Sequence, residues 1–209
     1  MLYAIVDPQS APGGNVVDLA SRCLDGGARY LQLRAKLLPD VEVLRLASAL
    51  VELSRGRAQF FLNDRPDLAA LCGADGAHVG QDDLPALHAR RALRPEQQLG
   101  LSTHTDEDVR AAVLAGVDLM GFGPVFPSGT KQGHADVTGP EGLARAVALA
   151  RGTPVVAIGG ITEENAAACG AAGAHAVAVI GALAQSADPA ATARRIIEAF
   201  ERGRAEGKA

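Results

Sequence analysis

Residues able to do chemistry sit at the ends of short apolar runs in this chain. Gln32-Leu33-Arg34-Ala35-Lys36 closes the run that begins at Ala28. Alternate residues of a strand share a face, so Gln32 and Arg34 point the same way, and Lys36 can reach the same site. A guanidinium offers phosphate oxygens a planar fork, and an ammonium adds a mobile point charge. Asn63-Asp64 ends the run Phe60-Phe61-Leu62, and Gln81-Asp82-Asp83 follows the next run. Taken alone, Asp64 reads as a cap for the following turn. Together with Asp82 or Asp83 it suits Mg2+, which uses one or two carboxylates and completes its shell with water and substrate phosphates.

Further along, Ser102-Thr103-His104 ends another run and supplies hydroxyls that can donate to phosphate. No GxSxG elbow accompanies Ser102, so a serine nucleophile is not supported. The segment Gly121–Phe126 leads into Pro127-Ser128-Gly129-Thr130-Lys131-Gln132-Gly133, a small, polar loop carrying a cation. The Gly-Lys-Ser/Thr order of a Walker A loop is absent, and Pro124 and Pro127 lack N–H donors. A loop that closes over substrate and excludes water fits better. Gly159-Gly160 and Ile180-Gly181 end the last two runs. Glycine there lets backbone N–H groups approach an anion closely.

The runs read as strands over 2–7, 28–34, 59–64, 77–81, 98–103, 119–126, 154–160 and 175–181. Helical stretches lie between them, among them 163–169, with Thr162 as its start signal, and 189–203. Runs such as Val155-Val156-Ala157-Ile158 lack apolar/polar alternation, which implies burial on both faces. Strands alternating with helices imply a parallel sheet. Eight such units in 209 residues make the count that closes a single-domain α/β (β/α)8 TIM barrel, near the lower end of its size range. In that fold the active site lies at the C-terminal ends of the strands, and the loops after strands seven and eight are its usual phosphate site. Residues 1–209 form one domain in this reading, and the charged tail over 201–209 is expected to fray.

Composition narrows the function classes. The net charge is −4 and aromatics are 3% of the chain, which argues against a basic or base-stacking nucleic-acid surface. Cys23, Cys72 and Cys169 form no CxxC pair, so neither a disulfide framework nor a structural zinc site is expected. No run approaches a membrane span, and Met1-Leu2-Tyr3-Ala4 carries no basic leader. A cytoplasmic protein is the expectation.

The segments QLRAK, FFLNDRPDLA, HVGQDDLP, GLSTHT, GPVFPSGTK, VAIGGI and AVIG, in this order and spacing, resemble those of thiamine-phosphate synthases. The likeness runs along nearly the whole chain. IGGI alone is common to many barrels, whereas the combination of QLRxK, ND, GQxD and the TK-terminated loop is specific. The resemblance implies a (β/α)8 barrel that joins 4-amino-2-methyl-5-hydroxymethylpyrimidine diphosphate to a hydroxyethylthiazole phosphate or its carboxylated tautomer. It implies that Gln32, Arg34 and Lys36, with Leu33 and Ala35 between them, hold the pyrimidine diphosphate together with Asn63. Asp64 and Asp83 would bind Mg2+ as the cofactor. Ser102 and Lys131 would contact the pyrimidine substrate, and with Arg34 and Lys36 would act on the departing diphosphate. Ser128, Gly129, Thr130, Gly160, Ile180 and Gly181 would bind the thiazole phosphate. Ser128 stands where the family commonly has Thr and keeps the hydroxyl. Gly181 stands where Ser is common and keeps only the backbone N–H. The implied partners are small-molecule substrates, with room for homo-oligomerisation and no nucleic acid or membrane. The alternative is a thiazole tautomerase on the same barrel. Such paralogues tend to lose the acids that Asp64 and Asp83 represent, and this chain has Pro124 where they carry histidine. A non-catalytic phosphometabolite sensor would need the glycines but neither the acids nor the closing loop.

Overall fold

The β-branched and aromatic runs become strands, and the Ala/Leu-rich stretches between them become helices. The computed structural model describes residues 1–127 and 136–207. In chain order the elements are β1 (Leu2–Val6), α1 (Val16–Asp25), β2 (Tyr30–Leu33), α2 (Asp40–Ser54), β3 (Gln59–Asn63), α3 (Pro66–Cys72), β4 (Gly76–Val79), α4 (Ala86–Ala92) and β5 (Gln98–Thr103). There follow α5 (Asp106–Ala115), β6 (Leu119–Phe122), α6 (Gly139–Leu149), β7 (Val155–Ile158), α7 (Ala166–Ala171), β8 (Ala176–Val179), α8 (Gly181–Ala184) and α9 (Pro189–Glu206). Each strand pairs in parallel with the next and β8 pairs with β1, closing the expected (β/α)8 barrel.

Strand alternation divides the apolar residues between two cores. Leu2, Ala4 and Val6 face outward into a continuous layer against the helices, with Leu31, Leu33, Phe60 and Leu62. Tyr3, Ile5, Phe61, Leu119, Val156, Ala176 and Ala178 fill the barrel itself. Both faces of every strand are therefore covered, which is why the runs read as almost continuously apolar. The rings of Tyr3, Tyr30 and Phe61 pack against one another with centroids 5.4–6.3 Å apart. Above them, His78 from β4 lies across Gly100 and Gly121; a Cβ on Gly100 would stand 2.3 Å from the imidazole. The helices start and stop where local chemistry directs. Thr105 and Asp108 form a reciprocal capping box on α5, and Gly116 ends that helix in the left-handed region.

Three boundaries differ from the sequence reading by more than two residues. β6 stops at Phe122 rather than Phe126, because Pro124 has no N–H for the ladder. Beyond it, the N–H groups of Val125 and Phe126 donate to Ile158 O and Gly159 O at the end of β7. α7 begins at Ala166 instead of Glu163, since Asn165 Oδ1 accepts the Thr162 N–H and holds that segment as a turn. The tail expected to fray from Glu201 is helical through Glu206. There α9 crosses α7 so closely that a Cβ on Gly203 would fall 1.8 Å from Ala167 O. The four-residue helix α8 directly after β8 was not anticipated.

Candidate active site

The charged side chains gather over strands β1 to β5, at the C-terminal mouth of the barrel. Gln32 projects into the barrel, 4% exposed, and its Nε2 donates to Tyr3 Oη at 3.0 Å. Two residues on, Arg34 forms an ion pair through Nη1 with Asp7 Oδ2, just past the end of β1. Lys36 Nζ lies 2.7 Å from Asp64 Oδ2. Asp64 follows β3 with φ of +62°, a left-handed conformation costing an L-residue about 1–2 kcal/mol. Its N–H donates to His78 O at 2.8 Å, which locks that conformation to β4. Such strain is stored where side-chain direction matters; here it turns the carboxylate toward Lys36 and Asp83.

Asp83 is turned inward: its Oδ2 accepts the Gly80 N–H at 2.7 Å, while Asp82 is exposed. The pKa of Asp64 is raised, first by burial and then by the facing carboxyl of Asp83, against the pull of Lys36. Two carboxyls crowded together in this way favour a shared cation or a shared proton. Among the described residues no group of three or more His, Cys, Asp or Glu side chains is placed to hold a metal. The pair nevertheless fits Mg2+, which takes one or two carboxylates and leaves the remaining positions to water and phosphate. Ser102, at the end of β5, sits beside Gly121 in register. Its Oγ lies 3.1 Å from His78 Nε2, and its carbonyl accepts from Gln81 Nε2 at 2.5 Å.

The far side of the mouth is built from backbone. Gly159 and Gly160 follow β7 with φ of +102° and +61°. A Cβ on Gly160 would fall 2.2 Å from Pro127 O. Asn165 pins this turn, donating from Nδ2 to Gly160 O at 2.9 Å. Ile180 and Gly181 mark the start of α8, next to β7 around the barrel. The mouth thus has a charged half, over β1 to β5, and a backbone-lined half, over β7 and β8.

The structure brings Gln32, Arg34, Lys36, Asn63, Asp64, Asp83 and Ser102 to one half and Gly160, Ile180 and Gly181 to the other. Leu33 is fully buried in the outer core, so its side chain serves packing, and Ala35 leans on that same core. Ser128, Gly129, Thr130 and Lys131 lie outside the described residues. His104 is tied to Gly123 O and caps α5 through its backbone, a structural role. Burial pushes the Cys23 and Cys169 thiols up to about 12, which leaves them protonated and inert. Two shallow clefts, beside His175 and Arg204 and beside Met1 and Arg29, lie at the opposite, N-terminal face and hold none of these residues.

Sequence reasoning passed over Asp7, His78 and Asn165. Asp7 and His78 each had a visible signal: a polar residue ending an otherwise apolar strand, and a histidine inside one. Asn165 had none, because its role depends on the turn it spans.

A family model described as thiamine monophosphate synthase matches residues 2–183. The chain is 44% identical over 204 residues to the thiamine-phosphate synthase of Moorella thermoacetica, covering 97% of each. It is 46% identical over 206 residues to that of Anaeromyxobacter dehalogenans, covering 98% of this chain and 89% of the relative. Its fold superposes on the thiamine phosphate pyrophosphorylase of Pyrococcus furiosus with a TM-score of 0.88 at 33% identity, over 97% and 96% of the two chains.

Proposed function

The chain belongs to the thiamine monophosphate synthase family and is a transferase, and on that premise we propose how its mouth divides the work between two substrates. The charged half takes 4-amino-2-methyl-5-hydroxymethylpyrimidine diphosphate. The backbone-lined half takes the hydroxyethylthiazole phosphate or its carboxylated tautomer. The C–O bond to diphosphate breaks ahead of attack, and the thiazole nitrogen then forms the new C–N bond to the pyrimidine methylene. The products are thiamine phosphate and diphosphate, with CO2 released as well when the carboxylated tautomer is the substrate.

One observation carries this reading. Arg34, Lys36, Asp64 and Asp83 converge at the strand ends, while no described residue there forms a Ser–His–Asp or Cys–His constellation. A departing diphosphate asks for charge neutralisation rather than covalent help. Arg34 and Lys36 supply fixed and mobile positive charge, and Lys131 is the further cation the resemblance assigns. Asp64 and Asp83 would hold Mg2+, which when bound neutralises charge on the leaving group. Gln32 and Asn63 orient the pyrimidine, with Ser102 donating beside them. Ser128, Gly129, Thr130, Gly160, Ile180 and Gly181 receive the thiazole phosphate. Closing the mouth keeps water from the electron-poor methylene before the thiazole reaches it.

The test is Asp83→Asn with both substrates supplied. Turnover should collapse while thiazole phosphate binding, followed by calorimetry, stays at the wild-type level. Unchanged turnover would remove the carboxylate pair from the mechanism. The tautomerase alternative needs no such acids, and their presence together speaks against it.

A further inference from the structure

Asp7 belongs to none of the roles above. Its side chain is 6% exposed, and both carboxylate oxygens are engaged. Oδ1 accepts the backbone N–H of Gln9 at 2.9 Å, and Oδ2 pairs with Arg34 Nη1. Its carbonyl accepts the N–H groups of Ser10 and Ala11 at 3.0 and 2.8 Å. The turn after β1 therefore fixes the carboxylate from behind, and the carboxylate fixes the guanidinium. Strand pairing contributes as well, since the Arg34 N–H donates to Val6 O at 2.9 Å. An arginine side chain is otherwise rotamer-rich, and ordering it on binding consumes part of the interaction energy.

We propose that Asp7 is a positioning residue for the reaction. It pre-orders Arg34 so that the remaining donors of the guanidinium face the diphosphate before substrate arrives. Asp7 itself does not touch that substrate, because a carboxylate would repel it and both its oxygens are taken. The proposal rests on Arg34 being a diphosphate ligand. It differs from the bond between Lys36 and Asp64, whose carboxylate belongs to the candidate metal pair. Asp7 has one cation to serve, and the backbone holds it to that task.

The experiment is a double-mutant cycle read by calorimetric binding of inorganic diphosphate in Mg2+ buffer, with thiazole phosphate binding measured in parallel. The proteins are wild type, Asp7→Asn, Arg34→Met and the double variant. Asp7→Asn should weaken diphosphate binding roughly tenfold to a hundredfold, the range typical of partners that orient ligating groups. Thiazole phosphate binding should not move. In the double variant the loss should equal that of Arg34→Met alone, because Asp7 acts only through Arg34. Should Asp7→Asn fail to fold, Asp7→Ser is measured in its place. Wild-type diphosphate affinity in the Asp7 variant, alongside a weakened Arg34→Met, overturns the proposal and leaves the Arg34 reading standing. Additive losses, or equal weakening of both ligands, overturn it too, since they mark a general structural role. Wild-type diphosphate affinity in Arg34→Met removes the Arg34 reading and this proposal together.

Discussion

Gly160→Ala, set against Gly116→Ala, separates backbone strain from damage to the phosphate-binding turn. Both glycines have nearly the same left-handed backbone, with φ of +61° and +67°. A methyl group on Gly116 meets nothing within 4 Å, whereas on Gly160 it lies 2.2 Å from Pro127 O and 2.9 Å from Phe126 O. Gly116→Ala therefore incurs only the left-handed strain, about 1–2 kcal/mol. Gly160→Ala incurs that strain and an overpacking cost of about 1–3 kcal/mol. In a chain of 209 residues each kcal/mol corresponds to roughly 2–4 °C of melting temperature. Gly160→Ala should melt below Gly116→Ala by several degrees in a calorimetric scan. Its backbone at Phe126 and Pro127 must shift by about 1 Å, a displacement able to reduce turnover roughly a hundredfold. Steady-state kinetics should show the KM for thiazole phosphate raised in Gly160→Ala and unchanged in Gly116→Ala. Equal melting temperatures, or a wild-type KM in Gly160→Ala, would refute the steric reasoning and the place of this turn in binding.

Two further outcomes follow from the same geometry. Asp64 has a raised pKa in the folded protein, so the native state holds its proton more readily than the unfolded chain. The stability linked to that proton is present at low pH and is lost as pH rises through the raised folded pKa. Metal-free Asp64→Asn should accordingly melt above wild type at neutral pH, with the gap closing on acidification. A lower melting temperature at neutral pH would mean that the ion pair with Lys36 outweighs burial and the facing Asp83. Deleting residues 201–209 should lower the melting temperature by about 2–4 °C or more, equivalent to at least about 1 kcal/mol, because Gly203 packs directly on α7. An unchanged scan would show that the last turns of α9 carry no stability.

The barrel was legible because burial on both strand faces leaves nearly continuous apolar runs, and each run here ends in polar or glycine residues. The strand from Gln98 to Thr103 matches residue for residue. The strand beginning at Leu119 was overextended, since Val125 and Phe126 are as apolar as any strand residue while Pro124 breaks the ladder ahead of them. The charged tail looked solvated by composition. Its contact with α7 is made by Gly203 and the backbone, which no hydropathy pattern records. The mouth was legible wherever one side chain announces a charge, as at Arg34, Lys36, Asp64 and Asp83. Asp7 escaped because its significance lies in its partner. His78 escaped because its place inside the barrel depends on two glycines, Gly100 and Gly121, from the next two strands around the barrel.

The proposed reaction couples two phosphorylated heterocycles at a mouth whose acids would hold Mg2+. The most direct measurement mixes purified protein with the pyrimidine diphosphate and each thiazole phosphate form, with Mg2+ or with excess chelator, and follows thiamine phosphate by chromatography. Product should form with the metal and essentially none after chelation, with the full rate restored on adding Mg2+ back. Equal product in the presence of chelator would contradict the role given to Asp64 and Asp83. No product from either thiazole form, by folded protein supplied with Mg2+, would contradict the coupling reaction itself.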